Sequence, residues 1–503
     1  MSALLSSFPT TSLLGSIAIV ALGVLLQRLF LHPLSRFPGP KVAAATWWYM
    51  TYYEVFKDGA MIEHLNDLHA RYGPVVRISP NQLHFKGLEA YTDIYSNSNR
   101  FIKDSRTYCF IRQGSPAVFS LLDVREAKPR RDYLSPIFSR RALLKLEPVI
   151  QAKVDGLVQQ FRQYGEAGKP ANIRRGYRSF TTEVVFAYCF GSDEDYMSAP
   201  DFAHKAVRSS EAAFDYFLVF VHFPWMYVLV RWMVRLAAWR QPQSSAHLER
   251  LRAKIDGFAD DPQLLWQEPQ ETMFHHLVAP QPETGREGIR SKSILWAEAN
   301  NMVGAGSETT ASILTVATFY VLNDASIRKR LVTELVEAWP DVDMQVGLET
   351  LEKLPYLTAV IKEALRVGHG IVGPLPRIVT PNDAIIAGHA VPAGTVVAAG
   401  HSFIHLDPVV FPDPYAFCPD RWLGGNKDLD QYLVVFSRGP RQCIGVNLAW
   451  SELYLVLGNV FRKLEMELHD TTIEDMQYRC QLTPTYRGKM PHCTVAPRKE
   501  LSG

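Results

Sequence analysis

One stretch, Phe436-Ser437-Arg438-Gly439-Pro440-Arg441-Gln442-Cys443-Ile444-Gly445, carries the residue types from which a metal-centred site can be built. Cys443 stands just ahead of an apolar helical run, where free N–H groups and the positive end of the helix dipole lower a thiol pKa and favour an anionic sulfur ligand. Gly439 permits a tight turn before the cysteine, Gly445 lets a flat group approach the backbone, and Arg441 can hold a carboxylate two-pronged. A second constellation, Ala305-Gly306-Ser307-Glu308-Thr309-Thr310, falls in the middle of the longest helical pattern, which runs from Ser293 to about Asn323. Gly306 costs that helix about 1 kcal/mol relative to Ala and so needs a reason. Small residues at Ala305 and Gly306 leave room beside the backbone, and Glu308 and Thr309 offer a carboxylate and a hydroxyl for moving protons. Singly, each has a plain structural explanation: free Cys is commonly buried, and a Gly beside two threonines is commonly a packing notch.

Together they exceed those explanations. The first stretch resembles the haem-binding signature of the cytochrome P450 family, Phe-x-x-Gly-x-Arg-x-Cys-x-Gly, with Phe436, Gly439, Arg441, Cys443 and Gly445 in its fixed positions. The second resembles the family's oxygen-activation motif. The resemblance implies haem b with Cys443 as axial ligand; a thiolate in that place favours O–O cleavage, hence oxygen activation rather than carriage. It also implies Thr309 as the hydroxyl at the oxygen end, Glu308 as the proton-relay acid, and Arg131 and Arg377 as partners of the haem propionates. The family's aromatic or His residue four positions before the first of these arginines is replaced by Ala127, and Pro129 suggests that the helix there begins only at that proline.

Other elements must hold these groups in place. Glu363 and Arg366 are three apart on one helical face, a spacing that usually marks a surface pair worth about 0.2–0.5 kcal/mol. In the family the corresponding pair is buried and joined by a later arginine, here Arg421, as a folding lock. The segment His369 to Arg377 contains two glycines and two prolines, which forbid a helix and suit a cavity wall. His401 and His405 are four apart but lie in a proline-punctuated stretch without the Glu of a zinc helix, so they are not metal ligands. After Cys443, Ala449, Leu453, Val456, Val460 and Leu464 mark one buried helical face. The tail near Leu482 to Tyr486 is expected to turn back toward the cavity.

The chain has 503 residues, 47% of them hydrophobic, and can bury a large core. A net charge of +2 gives no nucleic-acid footprint. Six scattered cysteines without Cys-x-x-Cys pairing argue against a disulfide framework or zinc site. Leu13 to Leu26 is apolar, extended upstream by Phe8 and Pro9 and downstream past Arg28, with its first basic residues all on the carboxyl side. That pattern reads as an uncleaved anchor with the body in the cytosol, in the endoplasmic reticulum. Residues 1–32 are therefore the anchor, 33–41 a proline-rich hinge and 42–503 the catalytic domain. Between Phe214 and Trp239 aromatic residues alternate with Arg231 and Arg235, as suits either core or a membrane interface.

The expected fold is mainly α, the cytochrome P450 fold, with small antiparallel sheets and one amino-terminal transmembrane helix. The expected function is a membrane-anchored monooxygenase taking O2, a lipophilic small molecule and electrons from NADPH-cytochrome P450 reductase, docked on basic residues near Arg130 and Arg438. No Gly-x-Gly-x-x-Gly fingerprint is present for a flavin of its own. Pro374-Leu375-Pro376-Arg377 and the run from Phe436 to Leu457 look most like fungal secondary-metabolism members such as trichodiene-oxygenase relatives, which suggests a terpenoid or polyketide-derived substrate. The rival readings are a haem-thiolate isomerase or dehydratase acting on a peroxide, and a non-catalytic haem protein. Intact Glu308 and Thr309 oppose both.

Overall fold

The computed structural model describes residues 10–96, 101–108, 115–240, 246–280, 285–424 and 427–498. Phe8, Pro9 and Cys109 lie outside them, as do the side chains of Leu13, Arg235 and Trp239.

Helix α1 (Thr10–Leu26) continues as one π-type turn to Leu31; its Leu14–Leu31 window has mean hydropathy 2.1 and none of it is buried, so it is long and apolar enough to cross a membrane. The hinge that follows is tied down rather than free. Leu34 is buried in the sheet core, the Arg28 guanidinium donates to the Ala45 carbonyl, and the Arg36 guanidinium donates to that of Ala390.

The chain then runs through β1 (Val75–Ser79), β2 (Gln82–Phe85) and β3 (Ile102–Lys103), followed by helices α2 (Val124–Leu134), α3 (Arg140–Glu166), α4 (Ile173–Phe190), α5 (Phe217–His222) and α6 (Pro224–Arg240). The 32-residue helix α7 (Lys292–Asn323) crosses the middle of the molecule. Helix α8 (Pro355–Gly368), strands β4 (Arg377–Ile378) and β5 (Val396–Ala399), and helix α9 (Val446–Lys463) complete the frame. Helices dominate, and the sheets are small, as expected. One pairing departs from the expectation: the five-stranded sheet has order β1-β2-β5-β4-β3, and β2 runs parallel to β5, because the chain between them returns through the helical body rather than by a hairpin.

The core explains these choices. From Ser307 to Phe319, α7 is buried on almost every face, between α4, α8 and α9. Helix α9 is likewise buried all round from Ser451 to Arg462, so its buried surface is wider than the single face that its apolar spacing marks, while Ala449, expected on that face, is only half-buried. Helix α2 begins at Val124, not at Pro129. The Asp123 side chain accepts from the Arg125 N–H and caps it, and Pro129 removes only the bond to the Arg125 carbonyl, on an exposed turn.

Candidate active site

The Cys443 loop is built by its own backbone. Gly439, at φ +70°, lies so close to Tyr95 and Ser96 that a Cβ would fall 2.1 Å from the Tyr95 carbonyl oxygen, so no other residue fits there. A short 3-10 turn, Gly439–Arg441, leads into Cys443, whose N–H donates to the Phe436 carbonyl at 2.9 Å. The Gly445 N–H is directed at the Cys443 sulfur, and the Arg131 guanidinium, carried on α2, bears on it electrostatically. Both favour the thiolate, but burial outweighs them and raises the thiol, the opposite of the net direction that the helix start alone predicts. Coordination to a metal would remove that proton outright. Cys443 nevertheless keeps accessible surface, and so does Ala305 in the middle of the core helix α7.

On α7 the two proposed proton carriers part company. Thr309, half-buried, donates its hydroxyl to the Ala305 carbonyl at 2.8 Å, one turn back. Glu308 is turned to α4, 2% exposed, with Arg174 at 2.9 Å and Arg178 also paired to it. Its carboxylate thus sits in a buried ion cluster on the α4 side of the helix. Gly306 also answers to α4: a Cβ there would meet the Val185 side chain at 2.6 Å, so its missing side chain serves helix packing, and of the pair Ala305 is the open residue.

Three cations gather near the loop. Arg441 donates to the carbonyls of Leu121 at 2.8 Å and Val118 at 2.7 Å, Arg377 to that of Leu375 at 3.1 Å, and Arg131 acts on Cys443 through its charge. Burial and then the fields of Arg377 and Arg131 push Arg441 down to about 10, the mark of cations packed together without enough counter-charge.

The lock forms. Glu363, fully buried, takes Arg366 at 2.7 Å and Arg421 at 3.1 Å, and also accepts from the Trp422 indole at 2.9 Å and the Cys418 N–H at 2.8 Å. Arg366 spends its other donors on the carbonyls of His405, Pro414 and Ala416. His401 and His405 are occupied too, with the Tyr91 hydroxyl at 2.6 Å and the Val434 N–H at 3.0 Å.

Beside this region lies a cavity of about 330 Å³. Trp47, Phe119, Phe217, Pro374, Pro376 and Leu482 are among its walls, so both the Gly/Pro segment and the returning tail line it. It does not reach Cys443 or Thr309 and reads as an approach to the site rather than the site itself.

The cytochrome P450 family model matches residues 38–491. The chain belongs to the cytochrome P450 family. It is similar to the cytochrome P450 monooxygenase MO6277 of Ascocoryne sarcoides, 32% identical over 92% of this chain and 94% of that protein. It is also 34% identical to the tryptophan 6-hydroxylase fscE of Fusarium equiseti, over 89% of this chain and 88% of the other. To the cytochrome P450 monooxygenase tpcC of Cochliobolus heterostrophus it is 34% identical, over 86% and 84% respectively.

A P450 holds haem through a cysteine thiolate, and the residues here fit that group. Cys443 is the sulfur with an open face, Gly445 has open space where a Cβ would stand, and Arg131, Arg377 and Arg441 form a cation group of the kind a carboxylate-bearing cofactor balances. Phe436 sits behind the loop, its ring 6.3 Å from that of Trp450. The two arginines named for docking each have partners within the protein. Arg130 is held by buried Glu298 at 2.8 Å, and Arg438 is tied to Thr92 and to the Gln431 carbonyl. Sequence reasoning missed Glu298, Arg174, Arg178 and Trp422, each of which lies far along the chain from its partner and has no motif of its own.

Proposed function

We propose that this P450 is a membrane-anchored monooxygenase that inserts one atom of O2 into an apolar small molecule of fungal secondary metabolism, terpenoid or polyketide-derived, with electrons passed from NADPH by a separate reductase. The observation that carries the reading is the open thiol of Cys443, backed by the Gly445 N–H and the charge of Arg131, inside a chain that matches the P450 family over residues 38–491. When bound, the haem supplies oxygen activation. The chain's own residues bind and orient. Arg131, Arg377 and Arg441 hold the cofactor's carboxylates, the aromatic and proline walls of the cavity admit an apolar molecule and exclude water, and the Thr309 hydroxyl delivers a proton from its place above Ala305. Glu308, paired with Arg174 and Arg178, fixes the turn of α7 that presents Thr309. Reductase docking falls to the basic cluster near Arg130, where the Arg125 and Lys128 side chains are the most exposed of the cations. Helix α1 is the anchor, in the endoplasmic reticulum with the body in the cytosol.

The test is the reduced carbon monoxide difference spectrum of membranes carrying wild type and Cys443→Ala, followed by NADPH oxidation with a reductase. A strongly red-shifted Soret band lost in the variant, and NADPH consumption requiring both reductase and O2, are expected. A Soret band at the position of a histidine-ligated haem in folded wild type overturns the reading.

A further inference from the structure

The cavity beside the cofactor site is walled mainly by aromatic, proline and aliphatic side chains, yet two carboxamides enter that wall, Gln82 from β2 and Gln481 from the returning tail. Both are buried, at 5% and 3% exposure. Among the described residues the Gln82 carboxamide makes no hydrogen bond within the protein, and neither of its polar atoms is sealed away from the cavity. The Gln481 side-chain oxygen accepts from the Leu218 N–H of α5 at 3.1 Å. That bond fixes which way the amide is turned and leaves its NH2 as a free donor.

The acids around the same space are occupied. Glu54 pairs with His222 at 2.5 Å, His222 also meets the Thr51 hydroxyl at 2.9 Å, and Asp104 accepts from the Arg106 N–H at 3.4 Å and the Thr107 hydroxyl at 3.5 Å. The Arg106 guanidinium lies over the Trp47 ring at 3.8 Å. The Tyr108 hydroxyl lacks a partner but is sealed within the wall. The carboxamides are therefore the polar groups left open to a ligand, and a buried amide without a partner costs free energy that a ligand's own polar group recovers.

We propose that Gln82 and Gln481 are specificity-determining residues that select an apolar molecule bearing an uncharged oxygen function, such as a ketone, ester or lactone carbonyl, over the bare hydrocarbon and over a carboxylate. Each NH2 donates to a carbonyl, the Gln82 oxygen accepts from a hydroxyl beside it, and Glu54 and Asp104 on the same walls oppose an anion. The Phe119 carbonyl, also in the wall, accepts from Arg441 at 3.3 Å, so a molecule held here lies next to the cation group of the cofactor site. The reaction that supplies the substrate must accordingly leave a neutral oxygen function in place. This inference rests on the P450 reading above and narrows its substrate class.

The test uses the full haem-loaded chain in lipid nanodiscs with three probes of one skeleton, cyclododecane, cyclododecanone and cyclododecanecarboxylate. Dissociation constants come from the Soret shift, or from calorimetric titration where a bound probe leaves the spectrum unchanged. Gln82→Met and Gln481→Met, which keep side-chain volume, are each expected to weaken cyclododecanone about three- to tenfold, the worth of one neutral hydrogen bond, and to leave cyclododecane unchanged. Partition of a probe into lipid is the same for wild type and variant and cancels. Gln481→Met also takes the acceptor from the Leu218 N–H, whereas Gln82→Met breaks no bond within the protein, and either variant decides alone if the other is not recovered. Unchanged ketone affinity, or an equal loss for ketone and hydrocarbon, overturns the proposal. So does a wild type that fails to bind the ketone or binds the carboxylate more tightly. Wild type without a thiolate-type reduced carbon monoxide spectrum overturns the P450 reading instead, so the two failures are told apart.

Discussion

Thr309 and Glu308 are neighbours in sequence, but on α7 they face different environments, and their variants should fail differently. Thr309→Ala removes a hydroxyl and leaves the helix intact, so product formation should fall roughly a hundredfold while NADPH oxidation continues, measured as product formed per NADPH consumed. Glu308→Gln removes the carboxylate that buried Arg174 and Arg178 share and should lower folded yield before it lowers turnover. Three other buried residues set pH dependences, the two histidines opposite in sign to the glutamate. Burial holds His401 at about 4 and His369 at about 3, below the 6.5 of an unfolded histidine. The unfolded chain therefore binds more protons between those values, and the stability these residues contribute, fully present above pH 6.5, is lost as pH falls toward 4. Burial also raises Glu452 to about 8 from 4.5, so the folded state keeps a proton that the unfolded state releases, and stability falls as pH rises across that interval. Glu452→Gln should flatten the second slope in urea titrations at pH 5 to 8 and leave the acid-side loss in place.

At the scale of elements, the contacts of α7 and α8 decide what their unusual residues are for. Gly306 is an interhelical contact with α4, so Gly306→Val should cost about 1–3 kcal/mol by overpacking against Val185, read as a drop in urea midpoint. Glu363 joins α8 to the segment from Pro412 to Trp422 through two arginines and an indole, and Glu363→Gln should cost about 3–5 kcal/mol, because buried Arg366 and partly buried Arg421 lose their anion. An i,i+3 pair on a surface helix would lose only a few tenths. The difference is the burial of the whole group, which the spacing of Glu363 and Arg366 does not encode.

Over the whole molecule, apolar surface is left uncovered on one side. Trp48, Tyr52 and Phe56 near the start of the body and Trp225 and Trp232 on α6 are all exposed, and the Trp48 and Phe223 rings approach to 6.2 Å, which joins the two patches. Phe217 and Phe220 on α5 are buried, so the aromatic stretch divides between core and surface. A chain lacking residues 1–27 should still partition onto vesicles, and Trp225→Glu with Trp232→Glu should release it, read by flotation. Removal of residues as far as Leu34 is a different matter, since that side chain is buried within the sheet core; Leu34→Ala should cost about 2–5 kcal/mol.

The sequence by itself determined the chemistry that is contiguous in the chain. Phe436 to Gly445 forms its loop with its own backbone, the apolar run from Leu14 fixes a helix by composition, and the long helix around Ala305 follows from its pattern, because each depends on neighbours within a few turns. Only the tertiary structure decided where charges end up. Glu308 meets Arg174 across 134 residues, and Arg130 meets Glu298 across 168. Lys103 faces Arg377 only because a two-residue strand pairs there. A charged side chain has the same identity on a surface or in a core, and its role is set by the dielectric and the partners that folding brings to it, none of which lies within its own stretch of chain.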